Sequence, residues 1–534
     1  MSNKRGYTAR FVVICQQMNS PNNAAILRSL ITYAVCAVLA IIVGRSLTNP
    51  LTYSTFAVVG IIALVLASPL LLRWHYPLLL LAWHTSITLF FIKGMPTLWL
   101  ALVALSLGIS VMRRTLSKDL HFIRVPQITW PLICMIGVVV VTAKLTGGLG
   151  LRTFGSEVYG GRKYIFLVIG ILSYFALTAQ RIPPNRIRLY IMLFFLGGIT
   201  SIIGDFVALT TPSLYFIYWI FPPDTSAAGR FQVGETRLGG FMGAGLAILY
   251  CLMAIYGIRG IFLSRKLWRQ FLFALSLAML FLGGFRSAIL EFGTIFALVF
   301  FMEKMHRTKL FLVFLFAGTL MAVALVPLAS HLPYTFQRSL AFLPLKLDSA
   351  ARESAQDTLN WRHEMWKALL PQVPRHLLLG KGLAISHEDY EMMGGNSSFQ
   401  ATDPSQQSLA LSFDYHNGPL SVVLPFGIWG VIVFLWFMAA SLRVVYCNFR
   451  YGDPSLQTIN RLLWATLLFQ FGNFVFLGGG FADGMMFFTG PLGLSVAING
   501  GVRRPSGTTP PKPQIEKIRN STDMRPFSPP VPQQ

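Results

Sequence analysis

The sequence predicts an all-α integral membrane protein with about fourteen spanning helices and one large extracytoplasmic loop. Three observations carry this. Of 534 residues, 54% are hydrophobic and only 12% are charged, so water is not the chain's main solvent. Apolar runs of about 17 to 22 residues recur almost end to end, each matching a hydrocarbon core at about 1.5 Å rise per residue. Leu27 to Gly44, Leu189 to Leu209 and Leu310 to Leu328 are examples. Basic clusters mark alternate ends of these runs, as cytoplasmic retention of Lys and Arg requires.

Spans are expected over about 27–44, 52–72, 77–92, 95–112, 129–145, 164–179, 189–208, 238–258, 269–284, 287–303, 310–328, 418–442, 462–478 and 484–499. Residues 1–26 then form a cytoplasmic N-terminal segment, 27–328 the first eleven spans and 329–416 the large loop. Residues 417–500 hold the last three spans and 501–534 a cytoplasmic tail. From Arg503 to Gln534 that tail has eight prolines and few large apolar residues, a composition that builds no core and leaves it disordered.

Orientation follows from the short basic loops. Arg113, Arg114, Lys118 and Arg124 fall inside, as do Arg181, Arg186 and Arg188. Arg259, Arg265, Lys266 and Arg269 follow, then Lys304, Arg307 and Lys309. An even span count puts both termini inside. The stretch Gln270 to Phe301 is too long for one span, and Gly283-Gly284 offers a reversal that leaves Arg286 near the outer surface. The formal charge of +24 is accounted for by this asymmetry, so membrane lipids rather than nucleic acid are the expected partners. The five cysteines imply no disulfide framework.

Three outer segments are long enough to carry function: about 147–163, 210–237 and 329–416. In the last, Trp361, Met365, Trp366 and Leu369 recur at helical spacing beside Arg362, Glu364 and Lys367. This amphipathic stretch either lies on the membrane surface or caps the helices. The loop joins the next span through Tyr415-His416-Asn417-Gly418-Pro419. At 100° per residue, Gly427 shares a helix face with His416 to within roughly 20°, unless Pro425 shifts the phase. Glycines there allow close helix packing.

His416, Asn417, Gly427 and Gly430 stand at the spacing of the O-antigen ligase signature, and the chain resembles that family. Thr236 to Gly240, Phe285-Arg286-Ser287-Ala288, Asn360-Trp361-Arg362, Trp366 and Gly380-Lys381-Gly382 look like further landmarks of it. The resemblance covers about residues 230–430 and implies a glycosyltransferase-C type architecture in a bacterial inner membrane. It also implies an inverting, metal-independent transferase without cofactor. Such an enzyme moves a glycan from an undecaprenyl diphosphate carrier to lipid A core or another glycan or protein acceptor. Gly243-Ala244 lacks the polar residues often found there in relatives, so donor specificity departs from theirs.

Such a transfer needs a base for the acceptor hydroxyl and cations for the departing diphosphate. His416, as a neutral imidazole, can accept a proton or position the acceptor; spacing alone favours a histidine that caps the next helix or bonds a backbone carbonyl, and the signature reverses that preference. Arg237 and Arg286 can each present a planar fork to phosphate oxygens, or snorkel to headgroups. Arg162 and Lys163, at a helix start, are secondary candidates for an anion or a headgroup anchor. Arg362, between Trp361 and Trp366, can contact sugar, acceptor or phosphate or simply stack. His387-Glu388-Asp389 reads as a solvated patch rather than a metal site. Asp205 and Glu291, costly within apolar spans, each require a cationic partner or a place near a span end. A polysaccharide polymerase would use the same donor. A lipid-linked oligosaccharide flippase and a noncatalytic envelope scaffold are readings from other classes.

Overall fold

The computed structural model describes residues 53–92, 95–117, 121–146, 161–210, 212–223, 238–384, 413, 415–476 and 478–505, with scattered residues between 29 and 48. Among them, eight helices are long and apolar enough to cross a membrane, and shorter apolar helices accompany them. The chain is a multi-pass, all-helical membrane protein. Its one β-type pairing among the described residues is an isolated bridge between Thr88 and Thr97.

The helices are α1 (Tyr53–Ala82), α2 (Leu98–Leu116), α3 (Pro126–Leu145), α4 (Gly161–Leu177), α5 (Ile187–Leu196) and α6 (Ser201–Thr210). The 3-10 turn Gly197–Thr200 joins the last two. Then follow α7 (Gly239–Phe262), α8 (Leu267–Leu282), α9 (Arg286–Met302) and α10 (Lys309–Leu328). In the large loop lies α11 (Ser349–Leu369), and α12 (Gly418–Tyr451), α13 (Gln457–Phe476) and α14 (Phe481–Asn499) complete the bundle.

Where the sequence predicts two spans, over 52–72 and 77–92, there is one helix. Helix α1 runs through Pro69 and Pro77 to Ala82. Residues 83–92 and 95–97 are not helical, and the Thr88 N–H donates to the Ile220 carbonyl at 2.8 Å. A proline removes one helical hydrogen bond, but neighbouring helices restore the balance when they bury the same turn. Tyr76, Leu79 and Leu80 beside Pro77 are fully buried. The expected count of about fourteen spans is not supported: among the described residues eight helices are long and apolar enough to cross a membrane. The expectation that both termini lie on one side therefore rests on the basic residues alone.

Three helices fix the two ends of the bundle. At one end, the buried amides of Asn448, Asn460 and Asn499 tie α12, α13 and α14 together. Asn460 Nδ2 donates to the Asn448 carbonyl at 3.0 Å, and Asn499 Nδ2 donates to Asn460 Oδ1 at 2.9 Å. At the other end, Gly478, just past α13, packs directly on the backbone of His416, just before α12. Between the ends, Phe434, Phe471, Phe474, Phe481 and Phe488 interlock, with Phe471 and Phe488 stacked at 4.6 Å. Such aromatic pairs add about 0.5–1.5 kcal/mol each beyond area burial.

Helices α7 and α9 are placed by the same logic. Gly257 near the end of α7 meets Glu303, which follows α9, and Thr458 in the first turn of α13. All three therefore lie at the Asn448 end. Helix α9 is 17 residues long, or about 25 Å, so its first residue, Arg286, lies at the His416 end. The amphipathic stretch of the loop is the C-terminal half of α11. Trp361, Met365 and Leu369 are buried in the main core while Leu359 and Leu370 are exposed, so this helix caps the bundle.

Candidate functional site

The site is built around a backbone that ordinary residues avoid. His416 has φ +45°, in the left-handed region where a side chain crowds the following carbonyl. Several contacts hold it there. The Trp366 indole N–H donates to the Tyr415 carbonyl at 2.8 Å, and Tyr415 itself is buried. Gly478, at φ +121°, lies so close that a Cβ there would collide with the His416 carbonyl oxygen. Asn417 caps α12, its Oδ1 accepting from the Leu420 N–H at 3.1 Å. The Ser421 hydroxyl donates to the Gly479 carbonyl at 2.9 Å. The half-buried imidazole faces Trp361, ring centroids 5.8 Å apart at 76°.

Gly427 does something other than the sequence predicts. It is non-helical, at φ +61° and ψ −160°, so α12 is interrupted two residues after Pro425. His416, at φ +45°, precedes the first residue of α12 and is not on the helix, so the shared-face argument fails. The break instead receives the loop. The Lys381 N–H donates to the Leu424 carbonyl at 2.9 Å, Gly382 to Pro425 at 3.0 Å and Ile428 to Leu377 at 2.6 Å. A Cβ at Gly427 would stand 2.7 Å from the Leu377 carbonyl oxygen. Gly430 is buried against Phe426 of its own helix.

The Gly380-Lys381-Gly382 segment reaches two further helices. The Leu383 N–H donates to the Tyr164 hydroxyl at 2.8 Å, and Gly382 lies against Thr146 at the end of α3. Lys381 Nζ stands 6.0 Å from the Phe413 ring centroid, so a cation that the sequence treats only as a landmark lies among the site's aromatics. Sequence reasoning also misses the run Gly478-Gly479-Gly480 that wedges His416. Its signal is three consecutive glycines between two spans, a place where backbone approaches backbone.

The other candidates divide. Arg286 is the first residue of α9 and half-buried at the His416 end; Arg362 is half-buried on α11 beside Trp361. Lys163, in the first turn of α4, forms an ion pair with Asp483 in the first turn of α14, so it has a partner already. Arg162 begins the same turn, its side chain outside the described residues, as are Arg237 and His387-Glu388-Asp389. Next to Arg237, the start of α7 is capped by Asp205, whose Oδ2 accepts from the Gly240 and Phe241 N–H groups at 2.6 and 3.1 Å. Glu291 accepts from the Tyr250 hydroxyl at 2.9 Å.

Residues 271–435 match the family described as O-Antigen ligase. This stretch is an O-antigen ligase-like domain. It opens within α8 and closes in α12, so it contains Arg286, the whole loop, His416, Asn417, Gly427 and Gly430. Arg162, Lys163 and Arg237 lie before the ligase-like domain in sequence, as does Asp205. No curated protein matches the chain.

Proposed function

We propose that the protein is an O-antigen ligase-like glycosyltransferase. It moves a glycan from an undecaprenyl diphosphate carrier to lipid A core, or to another glycan or protein acceptor, at the outer leaflet of the bacterial cytoplasmic membrane. The observation that carries this reading is His416, held in a left-handed backbone by Trp366, Gly478 and Asn417 within the stretch matching the ligase family. Strained backbone that its surroundings enforce clusters at functional sites. The His416 end is the outer one in this reading and the tail from residue 501 is cytoplasmic. The architecture is of the glycosyltransferase-C type in this reading.

The neutral His416 imidazole takes the acceptor hydroxyl proton as that oxygen bonds to the anomeric carbon. The bond from that carbon to the diphosphate oxygen breaks, and its electron pair departs with the carrier diphosphate. Attack from the face opposite the leaving group inverts the anomeric centre. Arg286 and Arg237 hold the diphosphate oxygens, where charge accumulates as the bond breaks. Arg362 contacts sugar or phosphate beside Trp361, and Arg162 is a further anion contact. Asn417 fixes the histidine's place, and Gly427 and Gly430 shape the helix behind it. The chemistry requires no metal or cofactor in this reading.

The alternative polymerase differs only in acceptor. A flippase would use charges within the membrane, and Asp205 and Glu291 are its best candidates. Both accept hydrogen bonds from uncharged donors, backbone N–H groups and a tyrosine hydroxyl, which favours structural roles. The deciding experiment is in-vitro transfer by the purified chain from an undecaprenyl diphosphate glycan to candidate acceptors, with and without chelator. Product of inverted anomeric configuration, formed with chelator present, supports the reading. No transfer to any acceptor, with glycan translocation across vesicles instead, refutes it.

A further inference from the structure

At the Asn448 end, remote from His416, a cavity of about 480 Å³ opens between α7, α9 and α13. Its lining includes Arg259, Lys304 and Arg461, with Glu303 and Thr458. Three cations therefore face one carboxylate, and that carboxylate is already engaged. Helix α7 breaks at Gly257, at φ +62° and ψ +172°, so the next residues begin a new helical turn with free N–H groups. Glu303 accepts from two of them, Ile258 at 3.2 Å and Arg259 at 2.8 Å. Among the described residues, none of the three cations pairs with a carboxylate. Arg461 Nε is buried and has no hydrogen-bond partner.

The cavity wall is rigid on one side. The Tyr256 ring carries the Arg269 guanidinium at 3.8 Å, Arg269 Nη1 donates to the Gly260 carbonyl at 2.8 Å, and Arg188 Nη2 donates to the Tyr256 hydroxyl at 2.6 Å. These two arginines add positive field without entering the cavity. Leu263, Leu267, Trp268 and Phe301 are exposed apolar side chains at the neighbouring ends of α7, α8 and α9, and Trp268 packs edge-on against the lining residue Tyr256. A ligand that satisfies this surround has a phosphate for the cations and acyl chains for the apolar rim.

We propose that this cavity binds the phosphate of an anionic phospholipid headgroup, on the face of the membrane opposite His416. Lys304 and Arg461 reach the phosphate oxygens, and Arg259 closes the rim. Basic pockets between spanning helices suit such headgroups, each cation near the surface adding about fivefold in affinity. The proposal does not rest on the transferase reading, because its readout is binding.

The test uses the full chain in detergent, with dioctanoyl phosphatidylglycerol, dioctanoyl phosphatidylcholine and inorganic phosphate as separate probes, and thermal stability and native mass spectrometry as readouts. Phosphatidylglycerol is expected to bind and raise the melting temperature, while phosphatidylcholine and phosphate do not. Lys304→Gln, at an exposed position that leaves the fold intact, weakens binding about fivefold. Arg461→Gln weakens it further, and the double variant loses the shift. Equal stabilisation of wild type and Lys304→Gln by phosphatidylglycerol overturns the site. A shift reproduced by inorganic phosphate alone overturns the lipid as its occupant.

Discussion

The imidazole of His416 stands edge-to-face against the indole of Trp361, with ring centroids 5.8 Å apart. The two residues are 55 positions apart in the sequence and come from different layers: Trp361 from the helix that caps the bundle, His416 from the threshold of α12. The cap therefore sets one wall of the histidine's surroundings. Trp361→Phe keeps an aromatic edge and is expected to retain most transfer. Trp361→Ala empties a buried site and costs about 3–5 kcal/mol of stability. Melting temperature and transfer rate measured together check this, and equal activity of the two variants would count against a role for the wall.

Gly478 leaves no room for a side chain beside the His416 carbonyl. Gly478→Ala must push that backbone aside. The expected result is loss of transfer with expression and membrane insertion retained, and an added methyl at Gly472, where nothing lies within 4 Å, is the control. Transfer unchanged in Gly478→Ala would show that the position of His416 is unimportant.

The break at Gly427 holds the Gly380–Gly382 segment by backbone hydrogen bonds. Gly427→Ala combines a positive φ with a contact of 2.7 Å to the Leu377 carbonyl oxygen. It is expected to destabilise by more than about 1 kcal/mol and to free the loop. Faster hydrogen exchange at Lys381 and Gly382 than in wild type is the observation that checks it.

Lys163 and Asp483 offer a way to separate an ion pair from a substrate contact. The pair is partly exposed, so its loss costs only about 0.2–1 kcal/mol of stability. Asp483→Asn leaves Lys163 free and is expected to preserve transfer. A fall in transfer with Lys163→Gln alone would assign that lysine to substrate, whereas matched small effects in both variants leave it structural.

Much of the fold was legible in the sequence because the hydrocarbon core imposes a length and composition on each span. Helices α7 to α10 appear within a few residues of their expected places. The region around Pro69 and Pro77 was not legible, because two prolines resemble a boundary and only tertiary burial of Tyr76 and Leu79 shows otherwise. In the site, the tyrosine-histidine-asparagine junction and the capping face of α11 were readable from motif and periodicity. The interruption at Gly427 was not, since a regular 100° step carries no sign of where a loop will invade the helix. The partners of Asp205 and Glu291, a helix start and a tyrosine, come from other helices and leave no local pattern.

The central claim is that His416 handles the acceptor proton. Single-turnover transfer by His416→Ala, compared with wild type at matched melting temperature and donor binding, tests it most directly. A loss of about 10²–10⁴-fold in rate with donor binding retained is the predicted result. Transfer at the wild-type rate by the folded variant would contradict it.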